Sequence, residues 1–201
     1  MAAKVEFLFD FGSPNAYLTY RAIPEIERRT GATFEPVPVL LGGIFKATGN
    51  QSPVVAFANV KGKLDYQRVE FTRFLRRHGI EDFKFNPFFP VNTLALMRMA
   101  VAAQGEGVLA PYMAAAFHHM WVAPKKMDDA EVIKDALTQS GLDPALVERA
   151  QAPEVKAKLI ANTEAAVARG VFGAPTFFVG DEMFFGKDKL RDVEEALAAA
   201  A

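Results

Sequence analysis

The chain of 201 residues contains no cysteine. This absence excludes disulfide bonds, a cysteine nucleophile and a cysteine-ligated metal. It also excludes dithiol oxidoreductase activity, because that chemistry needs two thiols on the protein. Nothing in the composition therefore ties the protein to an oxidising compartment.

The sequence also lacks an excess of charge of either sign, and it lacks long apolar runs. The 23 Lys and Arg residues and the 24 Asp and Glu residues leave a formal net charge of -1, so no global field attracts nucleic acid or an anionic membrane. No stretch approaches the ~20 apolar residues of a membrane span. The first apolar run is too short for a signal peptide and contains Glu6. We therefore expect a cytoplasmic protein with no nucleic-acid or membrane partner.

Histidine is rare, whereas phenylalanine is abundant. The 3 histidines include one adjacent pair, His118 and His119, whose side chains point apart on a helix, so we expect no metal site. The 18 phenylalanines, within a composition that is 51% hydrophobic, predict a full core in one domain. We expect most of these rings in the core and some in an aromatic pocket.

The first forty residues predict a strand, a helix and a second strand. Lys4–Asp10 is a short apolar run that ends at Asp and Gly, which indicates a buried strand. Pro14–Thr30 carries apolar residues at helical spacing, with Gly31 as the expected C-terminal stop. Thr33–Val39 is extended, and its two prolines on alternate positions favour an edge strand.

The middle of the chain predicts helices. A short helical turn is expected within Leu40–Asn50, and an irregular aromatic loop over Glu81–Pro90. Asp128 and Asp143 stand where N-caps belong. The longer helical patterns are Leu64–His78, Asn92–Gln104, Val108–Trp121, Asp128–Ser140, Pro144–Ala150 and Pro153–Arg169.

The last forty residues return to strands. Thr176–Val179 and Glu182–Phe185 flank the dipeptide Gly180-Asp181, which predicts a hairpin, and Lys187–Ala200 closes the chain as a helix. The order is therefore β-α-β, a block of helices, then α-β-β-α, which is the α/β order of the thioredoxin fold with a large all-helical insertion. We assign residues 1–50 and 160–201 to the thioredoxin-like domain and residues 51–159 to the insertion.

Three motifs carry a family resemblance. They read FDFGSPNAY over Phe9–Tyr17, FGAPTFFV over Phe172–Val179 and FFGKDKL over Phe184–Leu190. Together they resemble the DsbA-like branch of the thioredoxin superfamily, and more closely the 2-hydroxychromene-2-carboxylate isomerases and kappa-class glutathione transferases. The resemblance covers nearly the whole chain, including LGGIFKATGN at residues 41–50.

The resemblance implies a role for Ser13. Redox members of the superfamily carry C-x-x-C where this chain reads Ser13-Pro14-Asn15-Ala16. In the glutathione-using relatives, a serine at this place contacts the sulfur of bound glutathione. A helix N-terminus carries about half a positive charge and a hydroxyl can donate to a thiolate, which suits that role. The alternative is that Ser13 is simply an N-cap followed by proline.

The resemblance also implies the rest of the glutathione site. Ala174 and Pro175 match the cis-proline segment, whose backbone holds the cysteinyl part of glutathione, although an ordinary turn also fits these residues. The segment Gly186, Lys187 and Asp188 matches the place that holds the charged γ-glutamyl end, where relatives often have serine or glutamine instead of Lys187.

Three further side chains are candidates. Asn50 matches an asparagine that reaches the glutathione backbone in the relatives. Lys46 and Lys61 are candidates to meet a carboxylate of the substrate or of glutathione, although surface lysines are mostly solvated.

The implied activity is glutathione-dependent isomerisation of 2-hydroxychromene-2-carboxylate to trans-o-hydroxybenzylidenepyruvate, in the degradation of naphthalene-type aromatics. The implied route is addition of the thiolate to a conjugated carbon, rotation of the bond and elimination. One alternative is a kappa-class-like glutathione transferase, which consumes glutathione. Another is a thioredoxin-like binding module that has lost catalysis. The resemblance also implies a homodimer.

Overall fold

The sheet has four strands in the order β2-β1-β3-β4 in the computed structural model, which describes residues 3–199. β1 (Lys4–Phe9) and β2 (Thr33–Pro38) pair in parallel, from Lys4 opposite Thr33 to Phe9 opposite Pro38. Helix α1 (Pro14–Thr30) makes the crossover and ends at Gly31, whose φ of 69° is left-handed. β2 is an edge strand, as its prolines predict, since proline cannot donate a ladder hydrogen bond.

The second half of the sheet is the predicted hairpin. β3 (Thr176–Val179) and β4 (Glu182–Phe185) are antiparallel, and β3 pairs antiparallel with β1. The turn at Gly180 uses a φ of 59°, which glycine adopts without strain. The thioredoxin-like order predicted from the sequence is confirmed.

Helices fill the rest of the described chain. The predicted short turn after Leu40 is a complete eight-residue helix, α2. A 3-10 turn over Lys187–Lys189 leads into the closing helix, α10. The helices after α1 are α2 (Leu41–Thr48), α3 (Pro53–Ala56), α4 (Lys63–Arg77), α5 (Leu94–Gly105), α6 (Leu109–Trp121), α7 (Ala130–Gln139), α8 (Leu146–Arg149), α9 (Pro153–Ala168) and α10 (Leu190–Ala199).

Both predicted aspartate caps in the middle of the chain are wrong. Asp129, not Asp128, caps α7, because Asp129 has the extended backbone of an N-cap and its side chain accepts from the N–H groups of the first turn. Asp128 instead pairs with Lys126 at 3.0 Å. Asp143 accepts from the N–H of Ala145 at 2.9 Å, which forms a turn before α8 rather than its cap. The expected last helical residue, Ala200, lies outside the described residues.

The two faces of the sheet pack against different cores. Val5, Phe7 and Phe9 of β1 belong to the larger core, while Leu8 points to the opposite face. This alternation follows from the two-residue period of a strand. The smaller core around Leu8 includes Ile44 of α2 and other buried residues. β1 is thereby packed on both faces, and this packing holds its carboxyl end, from which the chain continues into α1.

Within residues 3–199, no helix combines the length and apolarity needed to cross a bilayer.

Candidate functional site

Ser13 lies in the turn that joins the carboxyl end of β1 to α1. Its backbone is extended, with φ of -90° and ψ of 112°, and its Oγ accepts from the N–H of Ala16 at 3.2 Å. Pro14 follows in the first helical position, where its missing N–H costs no hydrogen bond. Ser13 is therefore a helix N-cap, and only 5% of it is exposed.

The same hydroxyl also reaches a distant part of the chain. Ser13 Oγ donates to the carbonyl of Ala174 at 2.9 Å, and the Ala174–Pro175 peptide bond is cis, as the family resemblance implies. A serine hydroxyl has one proton, which rotates about the Cβ–Oγ bond. The proton that Ala174 now accepts can therefore turn toward an anion at the positive end of α1.

Asp10 stabilises this turn by accepting hydrogen bonds from backbone N–H groups. It is fully buried, and its carboxylate accepts from the N–H groups of Gly12 and Leu41, both at 2.8 Å. Burial raises the pKa of Asp10, while hydrogen bonds from Leu41, Gly12 and the Thr93 side chain oppose the rise. The sequence analysis used Asp10 only as the end of a strand. The signal for its role is Asp-x-Gly, which favours a side-chain-to-backbone turn.

Trp121 also stabilises the turn, through a hydrogen bond to its backbone. Its Nε1 donates to the carbonyl of Phe11 at 2.9 Å, and the Phe11 ring packs edge-on against Phe117 at 4.8 Å between centroids. A Cβ on Gly12 would lie 3.1 Å from Cγ2 of Thr93, so the turn passes close to the start of α5. Together with the bond from the Leu41 N–H, at the start of α2, to Asp10, contacts from α5 and α6 therefore fix the backbone beside Ser13.

Asn50 lies against the segment that precedes Pro175. Its Nδ2 donates to the carbonyl of Phe172 at 2.7 Å, and its Oδ1 accepts from the N–H of Gln51 at 2.8 Å. Asn50 follows Gly49, which ends α2 with a left-handed φ of 68°. Because Asp10 binds the first N–H of α2, one helix connects the Ser13 turn to Asn50.

The Gly186–Asp188 segment contacts the other side of Pro175. The N–H of Gly186 donates to the carbonyl of Pro175 at 2.9 Å. Lys187 Nζ lies 2.5 Å from Oδ1 of Asp188, and the Lys187 side chain is 6% exposed while that of Asp188 is 72% exposed. Ser13, Ala174, Asn50 and this segment thus meet around one cis peptide bond.

The two candidate lysines are not brought into this group. Lys46, near the end of α2, and Lys61, before α4, are both exposed. Within residues 3–199, no hydrogen bond or ion pair links either lysine to another side chain. Their roles stay predictions.

An aromatic pair that the sequence analysis did not single out borders the site. Phe172 and Phe185 are 38% and 42% exposed, and their ring centroids lie 4.4 Å apart. A Cβ on Gly173 would lie 2.8 Å from the Phe185 ring, so the residue between Phe172 and Ala174 has to be glycine for the rings to pack in this way. The pair offers an apolar surface beside Pro175.

The described residues were also compared with the ligand groups that metal sites need. Over the described residues 3–199, no group of three or more His, Cys, Asp or Glu side chains is arranged to hold a metal ion.

Comparison with known proteins agrees with this fold. The sequence profile of the DSBA-like thioredoxin domain matches residues 4–198. A protein named 2-hydroxychromene-2-carboxylate isomerase from Pseudomonas putida is 30% identical over 200 residues, which cover 96% of this chain and 93% of the relative. Glutathione S-transferase kappa 1 from Rattus norvegicus is 25% identical over 199 residues, which cover 92% and 87%.

A solved structure supports the same family. It is described as a 2-hydroxychromene-2-carboxylate isomerase, has a TM-score of 0.82 and 28% identity to this chain, and the match covers 98% of this chain and 95% of that one. The chain therefore belongs to the DSBA-like thioredoxin domain family, among relatives named 2-hydroxychromene-2-carboxylate isomerase and kappa-class glutathione transferase.

Proposed function

We propose that the protein is a glutathione-dependent isomerase that interconverts 2-hydroxychromene-2-carboxylate and trans-o-hydroxybenzylidenepyruvate in the degradation of aromatic compounds. One observation carries the proposal: the buried Ser13 hydroxyl, at the N-terminus of α1, bonds the residue before a cis-proline. The names of the relatives supply the reaction class.

The residues present fit glutathione. The chain has no cysteine, so a thiol at this place has to come from a ligand. Within the described residues, the N–H of Ala174 has no hydrogen-bond partner in the fold, which leaves it available to an extended peptide. Asn50 and Asp188 present exposed polar groups on the two sides of Pro175.

The chain's own groups then hold and activate the thiol. Ser13 Oγ–H donates to the sulfur, and the positive end of α1 favours the thiolate, whose pKa falls at such positions. When bound there, glutathione would supply the nucleophilic thiolate for reversible addition to a conjugated carbon. Phe172 and Phe185 give the flat aromatic acid an apolar surface. Lys46 and Lys61 are candidates to bind its carboxylate.

The test is a turnover assay with 2-hydroxychromene-2-carboxylate and reduced glutathione. We expect the benzylidene product to form only when glutathione is present, with the glutathione concentration unchanged at the end. Product formation at the full rate without glutathione would contradict the proposal.

The second candidate function is a kappa-class-like transferase, which the 25% identity to the rat kappa enzyme favours. Conjugation to an electrophile consumes one glutathione for each product, whereas isomerisation consumes none. The same assay, with free thiol titrated before and after turnover, therefore separates the two activities.

We also propose a homodimer. Five large apolar side chains of α3, α4 and the loop between them remain exposed, and a second copy of the chain would bury them. They are Val54 at 51%, Val55 at 61%, Val60 at 51%, Tyr66 at 56% and Val69 at 46%. Light scattering after size exclusion should give twice the 22.0 kDa mass of one chain.

A further inference from the structure

The side chain of Asp10 accepts hydrogen bonds from the starts of three helices. Gly12, whose N–H donates to Oδ1 at 2.8 Å, immediately precedes Ser13, the N-cap of α1. Leu41, whose N–H donates to Oδ2 at 2.8 Å, is the first residue of α2. Thr93 is the N-cap of α5, and its hydroxyl donates to Asp10 instead of capping its own helix. Three helix N-termini therefore converge on one carboxylate.

This convergence explains how a carboxylate is kept in the interior. Asp10 is fully buried, and a buried charge is costly unless hydrogen bonds compensate it. Each helix N-terminus carries about half a positive charge, so α1, α2 and α5 together favour an anion at this point. The groups that face Asp10 from the turn, α2 and α5 do not titrate. No charged side chain of the described residues contributes to the pKa of Asp10, which burial raises and the three hydrogen bonds lower.

The thiol site uses the same positive field. The N–H of Ser13 donates to the backbone carbonyl of Asp10 at 3.0 Å, so the two residues belong to one turn. A thiolate bound by the Ser13 hydroxyl would lie at the N-terminus of α1, where the Asp10 carboxylate already takes a hydrogen bond from Gly12. Like charges at neighbouring positions disfavour each other's ionisation.

We propose that Asp10 is a positioning residue whose charge controls how readily a thiol bound at Ser13 loses its proton. The inference rests on the proposed use of glutathione. The two ionisations oppose each other, because whichever group is charged first makes the proton of the other harder to remove. The thiol then ionises most readily while Asp10 is uncharged.

A purely structural role for Asp10 would act with the opposite sign. If a neutral residue at position 10 only loosened the turn, the N-terminus of α1 and the Ser13 hydroxyl would hold a thiolate less well. The bound thiol would then ionise at a higher pH. If the charge of Asp10 acts as proposed, its removal makes the bound thiol ionise at a lower pH.

The experiment is a pH titration of the protein saturated with reduced glutathione, followed by the ultraviolet absorbance of the thiolate. The complex with S-methylglutathione, which has no thiol proton, gives the baseline. Asp10→Asn keeps a side-chain oxygen as an acceptor, and Asp10→Ser is a second neutral variant with a different shape. Asp135→Asn, on the exposed surface of α7, makes the same charge change away from the site.

A second titration follows Asp10 in the wild-type protein and needs no variant to fold. Carbon NMR of isotope-labelled aspartate carboxyl groups is recorded with reduced glutathione and with S-methylglutathione. The two titrations cover both orders of ionisation. If Asp10 ionises first, its charge moves the thiolate curve, and if the thiol ionises first, the thiolate moves the Asp10 curve to higher pH.

We expect the ionisation constant of the bound thiol to be about tenfold larger in both neutral variants of Asp10 than in wild type and Asp135→Asn. An Asp10 curve at higher pH with glutathione than with S-methylglutathione would also support the coupling. A thiolate curve at higher pH in the neutral variants would overturn this inference and leave the proposed function intact. Coinciding curves in both titrations would do the same. Absence of glutathione binding to wild type would overturn both.

Discussion

Ser13 and Ala174 lie 161 residues apart in the chain, and the Ser13 hydroxyl donates to the Ala174 carbonyl at 2.9 Å. The contact joins the N-terminus of α1 to the residue before a cis-proline. In relatives with C-x-x-C motifs the first position of that motif carries a thiol. Here a hydroxyl takes its place, so a thiol that reacts at this point has to be bound rather than built in.

Replacing Ser13 with alanine should reduce turnover far more than stability. Loss of a donor to a developing or bound anion typically slows a reaction about 100-fold, whereas loss of an N-cap costs about 1 kcal/mol of unfolding free energy. The measurements are the isomerase assay and urea denaturation.

The matched control is Ser52→Ala. Ser52 is the N-cap of α3 but makes no side-chain capping bond, so its loss should change neither turnover nor stability by a measurable amount. A Ser13→Ala variant with wild-type turnover would exclude Ser13 from the sulfur contact.

Replacing Asp10 with alanine should destabilise the fold. Gly12 and Leu41 would each keep a backbone N–H without its acceptor, and a buried donor without a partner costs about 1–3 kcal/mol. We expect the free energy of unfolding to fall by at least about 2 kcal/mol.

The control for this prediction is Asp135→Ala, an exposed aspartate in α7. Surface changes of this kind usually stay within about 0.5 kcal/mol. If both aspartate variants unfold at the same urea concentration, the hydrogen bonds of Asp10 do not stabilise the turn.

Stability should fall with acid partly through His119. Its Nε2 lies 3.1 Å from Ser140 Oγ, and burial, followed by the charges of Lys125 and His118, lowers the pKa of His119 to about 4. An unfolded histidine takes up its proton near pH 6.5, so the neutral ring stabilises the fold above that pH. This contribution is lost as the pH falls from about 6.5 to about 4, and it amounts to about 2–3 kcal/mol.

The His119→Gln variant checks the sign. It should show a weaker loss of unfolding free energy between pH 6.5 and pH 4 than wild type, measured by urea denaturation at each pH. His118→Gln changes the exposed neighbour and should keep most of the wild-type dependence. Identical pH profiles for wild type and His119→Gln would show that His119 does not titrate in this way.

Gly173→Ala should disturb the aromatic pair without unfolding the protein. The new Cβ would lie 2.8 Å from the Phe185 ring, which is 42% exposed and free to move outward. We expect a higher KM for the aromatic acid and an unchanged affinity for glutathione. Gly42→Ala, where a Cβ meets nothing within 4 Å, is the control. An unchanged KM in Gly173→Ala would remove Phe172 and Phe185 from substrate binding.

Local patterns predicted the parts of the site that depend on local chemistry. Ser13-Pro14 indicated a helix start, and Gly180 indicated a hairpin. Both features depend on a few neighbouring residues, so a short stretch of sequence is enough to specify them. The cis bond before Pro175, by contrast, was implied by the family resemblance and not by local chemistry.

Features that depend on distant packing were missed. The bond from Leu41 to Asp10 and the bond from Trp121 to Phe11 join positions far apart in the chain, and no periodicity reports them. The burial of Lys187 was also not predicted, since a lysine in a polar segment is usually solvated. The division of the chain at residues 50 and 160 into a thioredoxin-like domain and an insertion stays a prediction.

The most direct test of the account is a calorimetric titration of reduced glutathione into the purified protein. The account predicts saturable binding by wild type, with weaker binding by Ser13→Ala and Asp188→Ala, and a higher Tm at millimolar glutathione because a ligand of the native state stabilises it. Absence of both heat and thermal stabilisation would contradict the thiol site, and with it the proposed isomerase.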